Sequence, residues 1–293
     1  MSRRIAGLLL ATAALALVVA GVAGASSSTS QGLKKVPKIA KMVPAKIRHK
    51  GTLKVASDAT YAPMEFVAKD GKTVIGVDAD LAKALGTVMG LKFKVVNATF
   101  ATIIPGLKSG KYDIGMSSFT DKKSREKIVD FVTYFAAGTS FYEKATGGPK
   151  VTGLSSLCGL TVSVENGTTE QTDAQAQSKK CTKAGKKAVK VSAFPDQNAA
   201  NLAIASGHAQ VGMADSPVAG YIVRQSHGQF KLVGKSYGTA PYGIALPKHN
   251  GMTKPVLAAV KYLMKQGTYK KILKKWGVQK GAISNPKING AIF

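Results

Sequence analysis

Few of the residues that catalysis and crosslinked scaffolds need are present in this sequence. Two cysteines in 293 residues exclude a disulfide-dense scaffold and a cysteine-rich zinc site. The four histidines, His49, His208, His227 and His249, are scattered without the paired spacing of a metal centre, so no metal or other cofactor is expected. No G-x-S-x-G elbow and no G-x-x-x-x-G-K-[ST] loop occurs, which removes two common sequence signs of acyl transfer and phosphate cradling. Acid is scarce too. Fifteen Asp and Glu stand against 42 Lys and Arg, for a formal charge of +27. In a cytoplasmic chain that balance points to nucleic acid. Here the lysines are spread along the chain, in pairs at Lys34-Lys35, Lys179-Lys180, Lys186-Lys187, Lys270-Lys271 and Lys274-Lys275, with no aromatic stacking platform among them. A solvated surface is the plain reading, a patch for anionic lipid or cell-wall polymer the alternative, and no nucleic-acid partner is expected.

The N-terminus carries an export pattern. Arg3 and Arg4 precede an uncharged apolar run from Ile5 to Ala23, which closes on Ala23-Gly24-Ala25 before a Ser-rich stretch. This is the layout of a signal peptide, residues 1–25, cleaved after Ala25. The run also approaches the ~20 residues that span a bilayer, so a retained anchor is the alternative. Either way the body lies on the outer face of the cytoplasmic membrane, periplasmic or extracellular. Residues 26–50 carry Lys34, Lys35, Lys38, Lys41, Lys46, Arg48 and Lys50 without one acid, and are read as a basic flexible linker. Because an exported chain meets oxidising conditions, Cys158 and Cys181 are expected to form a disulfide.

From Gly51 short β-rich runs alternate with helical stretches, the signature of α/β layers. Strands are expected at Leu53 to Ala56, Phe93 to Val96 and Asp113 to Met116, with helices at Val77 to Met89 and around Ile103 to Leu107. The alternation repeats from Leu160, with strands near residues 161–164, 189–191, 210–213 and 231–233 and helices near 170–180, 198–205 and 217–225. The closing stretch, a strand at Tyr242 to Leu246 and helices near 254–265 and 269–276, is too short for a third unit.

Several stretches then resemble the family 3 extracellular solute-binding proteins, which serve ABC importers of polar amino acids. Asp58-Ala59-Thr60-Tyr61-Ala62-Pro63-Met64-Glu65-Phe66 is similar to the family's first loop, with Met64 where Phe is usual. Gly76-Val77-Asp78-Ala79-Asp80-Leu81-Ala82 resembles its helix-entry signature, and residues 116–120 with 124–131 its ligand-carboxylate segment. Gly167-Thr168-Thr169, Ala214-Asp215 and residues 269–277 complete the set in family order. The resemblance implies a two-lobed, periplasmic-binding-protein-like α/β fold of type II, each lobe a mixed sheet flanked by helices. Lobe 1 would be residues 51–143 and 242–285, lobe 2 residues 144–241, with crossings near Tyr142 to Ala145 and Thr239 to Tyr242. It also implies a binding protein and not an enzyme, with a free amino acid as ligand and an ABC permease as partner. The chain itself is expected to be a monomer.

The chemistry of such a site can be argued from the ligand. A free amino acid is a zwitterion, and enclosing it strips water from both charges, at several kcal/mol per ion unless each is paired. Arg125 offers a fork of donors to the carboxylate, with Ser117, Ser118 and Thr120 as short donors nearby. Thr168 and Thr169 sit where a strand enters a helix, so their amides can face an anion, while Thr168 equally suits an ordinary N-cap. Asp215 follows a strand at the edge where open α/β sheets place ligands, and suits the ammonium or a helix cap. By the same resemblance Tyr61 and Phe100 are aromatic walls for the side chain. Asp58 and Glu65 are candidates for a cationic side chain, yet such acids also suit neutral ligands, so the amino acid stays open. The competing classes are a dehydratase on the same fold, with Glu65 or Glu170 as a buried acid, and a sensory ectodomain.

Overall fold

The computed structural model describes residues 32–293, so the proposed signal peptide and the first residues of the linker lie outside the described part. The flexible-linker reading fails for the rest. Residues 37–50 form two short helices, α1 (Pro37–Met42) and α2 (Ala45–Lys50), and Ile39, Ala40 and Val43 are buried. The Val36 amide donates to the Val88 carbonyl at 2.9 Å, tying the segment to the body. Val36, Ile39, Ala40 and Val43 do fall on one helical stripe, but the stripe is too short to stand out among the lysines.

Lobe 1 opens with β1 (Thr52–Ser57), a small hairpin sheet of β2 (Thr60–Tyr61), β3 (Glu65–Val67) and β4 (Val74–Ile75), and α3 (Val77–Met89). It continues through β5 (Lys92–Asn97), α4 (Phe100–Lys108), β6 (Ile114–Gly115) and the single turn α5 (Lys123–Glu126) into the long strand β7 (Val129–Lys144). Lobe 2 holds β8 (Thr161–Glu165), α6 (Thr169–Lys183), β9 (Lys190–Phe194), α7 (Gln197–Ala205), β10 (Val211–Asp215) and α8 (Ser216–Gln225). A second long strand, β11 (Phe230–Pro247), returns the chain to α9 (Thr253–Lys265) and α10 (Thr268–Lys275).

Eight strands form one sheet in the order β5-β1-β6-β11-β7-β10-β8-β9, because β7 and β11 run through both lobes. In lobe 1 the register runs from Ala240↔Ala137 to Pro247↔Val129. In lobe 2, β7 pairs with β10 from Thr139↔Asp215 to Tyr142↔Gly212. The first crossing therefore lies at residues 137–139, several residues before the Tyr142 to Ala145 expected, and register shifts between Val233 and Ala240 widen the second. Nothing in the near-continuously buried β7 marks the passage except Gly138, where a Cβ would stand 2.5 Å from the Tyr237 carbonyl oxygen.

Alternation along the strands sorts the core. Val55, Val132 and Ile244 face the layer of α3, α9 and α10, while Ala56, Phe131 and Ala245 face α4. In lobe 2, Phe141, Val162, Val164, Val211 and Met213 pack with α6, and Cys158 and Cys181 are joined in a disulfide at its outer end.

Candidate functional site

All ten residues singled out from sequence line one narrow cavity between the lobes: Asp58, Tyr61, Phe100, Ser117, Ser118, Thr120, Arg125, Thr168, Thr169 and Asp215. Three more acids, Glu65, Glu165 and Glu170, complete the lining. Strand ends place three of the acids. Asp58 follows β1, Glu165 ends β8 and Asp215 ends β10, at the edges where an α/β sheet exposes side chains to a cleft.

Arg125 is the cavity's cation. Its Nη1 donates to the Thr120 carbonyl at 2.9 Å and its Nη2 crosses the cleft to the Gly167 carbonyl at 3.0 Å. The guanidinium carbon lies 5.4 Å from the Phe100 ring centre and 5.5 Å from that of Phe119, and the two rings stack at 4.6 Å. These contacts fix the fork in place with little rotamer freedom left to lose.

Around it the carboxyls are buried and held by short donors. Asp58 accepts from Thr60 Oγ1 at 2.7 Å and from the Phe100 amide at 2.8 Å. Glu65 accepts from the hydroxyls of Ser117 and Ser118, both at 3.1 Å. These two serines thus support Glu65 as well as facing the cavity. Glu170 accepts from Thr139 Oγ1 at 2.7 Å. Asp215 sits at the N-cap of α8 without capping it. Instead its Oδ2 accepts from the Tyr61 hydroxyl at 3.1 Å, and its amide donates to the same oxygen at 2.9 Å, across the cleft. Thr168 does cap α6, accepting from the Gln171 amide at 3.2 Å. Thr169 Oγ1 reaches Thr120 Oγ1 at 3.3 Å, again between lobes.

Burial raises every one of these carboxyls above its ordinary range, and mutual repulsion adds to it. Glu165 is raised well above by burial and then by Asp58, and Asp215 by burial and then by Glu170. Glu65 is raised well above by burial and by Asp78 behind it. Asp58 and Glu170 rise mainly by burial. The cause is common: one guanidinium cannot offset five desolvated carboxylates.

Sequence reasoning passed over Glu165. The signal was available, since Glu165 ends a strand just before Gly167-Thr168-Thr169, the same position logic that singled out Asp215. Its Oε1 is buried without a hydrogen-bond partner. Among the described residues no group of His, Cys, Asp and Glu is arranged to hold a metal ion.

The chain is similar to known proteins in sequence and in fold. The arginine-binding protein ArgT of Corynebacterium glutamicum is 34% identical over 255 residues, 87% of this chain and 83% of that protein. The lysine/arginine/ornithine-binding periplasmic protein of Escherichia coli is 29% identical over 234 residues, 77% of this chain and 87% of its own. Among solved structures, an ancestral arginine-binding protein bound to glutamine superposes with a TM-score of 0.72 at 34% identity, over 78% of this chain and 98% of that one. An ancestral amino acid-binding protein described as a precursor of cyclohexadienyl dehydratase gives 0.71 at 34% identity, over 79% and 97%. The fold is that of type II periplasmic binding proteins. With residues 53–279 matching the model of the bacterial extracellular solute-binding proteins, family 3, this chain belongs to that family.

Proposed function

We propose that the protein captures a free amino acid with a cationic side chain, of the arginine class, and delivers it to an ABC-type permease. The observation that carries this reading is the cavity's charge balance, one guanidinium among five carboxyls. A zwitterion uses one partner of each sign, here Arg125 for the carboxylate and Asp215 for the ammonium. Of the four carboxyls that remain, Glu65 and Glu170 are held by serine and threonine hydroxyls, while Asp58 of lobe 1 and Glu165 of lobe 2 face one another for a second positive charge on the ligand. Phe100 and Tyr61 offer aromatic surface to a guanidinium plane. The relative named for arginine and the ancestral arginine-binding protein solved with arginine bound support the same class. Residues 1–25 act as the signal peptide, and the chain works as a monomer.

The dehydratase reading has Glu170 as its buried acid and a solved neighbour that is an amino acid-binding protein described as the precursor of such an enzyme. A carboxylic-acid substrate, however, would add negative charge to a cavity already short of cations, so the protein acts as a binder and not as an enzyme. Calorimetry with arginine, lysine, ornithine, glutamine and glutamate tests the reading. Arginine should bind most tightly and glutamate at least a hundredfold more weakly. Tighter binding of glutamate or glutamine would overturn the cationic class, and turnover of prephenate or arogenate without amino-acid affinity would reinstate the enzyme.

A further inference from the structure

We infer that the lysine-covered helical face of lobe 1, centred on the groove between α9, α10 and residues 282–286, docks the protein on an anionic phospholipid bilayer. The first observation is where the acids go. More than half of the fifteen are buried, five of them around the ligand cavity, while the lysines stay outside. The exterior is therefore almost wholly cationic. The second observation is directional. On α9, Lys254, Lys261 and Lys265 recur at i, i+7 and i+11, one stripe opposite the buried Val256, Ala259, Val260 and Leu263. On α10, Lys270, Lys271 and Lys274 lie opposite Tyr269, Ile272 and Leu273.

Both helices pack on α3, so these lysines project from one layer, and α1 packs beside them on α9. That layer neutralises almost none of its charge. Asp80 is the one acid of α1, α3, α9 and α10 that is not buried, and it is engaged by Lys275 Nζ at 2.7 Å and Trp276 Nε1 at 2.9 Å. Lys261, Lys265 and Lys270 also line the groove itself, beside Ser284 and Asn285. Ammonium groups with hydroxyl and amide donors between them suit the phosphodiester of a lipid headgroup. Charges dispersed over a broad helical layer favour fluid lipids, which rearrange beneath each one, over a single polymer strand that needs a continuous track. A protein of this family works outside the membrane that holds its importer, so docking would confine its search for the permease to that surface.

Sedimentation of the purified secreted protein with phosphatidylcholine vesicles containing none or 30% phosphatidylglycerol tests this, at low and high salt. Binding should need phosphatidylglycerol and fall steeply with salt. At ~1 kcal/mol per lysine near the surface, Lys261→Glu/Lys265→Glu/Lys270→Glu should weaken it about a hundredfold with arginine affinity unchanged. The same charge change on lobe 2, Lys179→Glu/Lys183→Glu/Lys186→Glu, should weaken it less than about fivefold, the effect of roughly one such lysine. Equal losses in the two variants would overturn the assignment to this face. Binding to a glycerol-phosphate polymer but not to the vesicles would overturn the bilayer.

Discussion

In lobe 1, α3 buries Val77, Leu81, Leu85, Val88 and Met89 against the sheet; in lobe 2, α6 buries only Ala174 and Cys181 among apolar side chains, with Glu170 and Gln177. A buried leucine contributes roughly 1.5–3 kcal/mol, so α3 is held by apolar area and α6 has little of it to use. The disulfide from Cys158 to Cys181 closes a 23-residue separation and ties α6 to the preceding turn. Gln177 Nε2 lies 3.3 Å from Cys181 Sγ, so even the polar neighbour turns to the crosslink. The comparison shows why. Glu170 on α6 belongs to the ligand cavity, and a helix whose first turn serves a site gives up apolar positions there. The lobes divide the site as well: the cation comes from lobe 1, while Asp215, Glu165 and Glu170 come from lobe 2.

The sharpest test of that division separates the ligand's two charges. Arg125→Ala and Asp215→Asn should each weaken arginine binding by ~2–5 kcal/mol, about thirtyfold to several thousandfold by calorimetry. With a ligand lacking its α-ammonium, the loss from Asp215→Asn should largely vanish and that from Arg125→Ala persist. Wild-type affinity in folded Arg125→Ala protein would sink the assignment. Next in size, Leu85→Ala should cost ~2–5 kcal/mol of lobe 1 stability in denaturant unfolding. Replacing both cysteines with serine should cost about 3 kcal/mol, with hydrogen exchange quickening in α6 and not in α3. Equal quickening in both helices would break the contrast drawn here.

A smaller effect follows from protonation. The cavity carboxyls are raised in the folded protein, so their contribution to its stability is present at low pH and is lost as pH rises through those values. A cationic ligand needs them ionised. Arginine affinity should therefore rise about tenfold or more from pH 5 to pH 8, with protons released on binding in calorimetry across buffers. Affinity that does not change with pH would mean that the acids do not meet the ligand's charge. Smallest of all, Lys274→Ala should leave arginine affinity within about twofold, since its side chain faces outward from α10.

Much of this protein was legible in its sequence, for local reasons. The helix at Val77–Met89 announces itself by the spacing of Leu81, Leu85 and Val88 and by Gly76 and Gly90 at its ends. Asp215 ends a strand next to a cap signal, so its place in a cleft could be argued from position, whereas Asp58 rests on the resemblance of its loop. What local pattern could not decide was anything that depends on a partner distant in sequence. Val36, Ile39 and Val43 became core because α3 and α9 cover them. The crossing settled at Gly138 because Tyr237, about a hundred residues on, approaches it there. That Glu165 faces Asp58 follows only from the way lobe 2 lies against lobe 1. Periodicity, caps and charge signs are properties of neighbours along the chain, and the sequence alone determined them. Burial and desolvation depend on what the fold places opposite, and only the tertiary structure decided those.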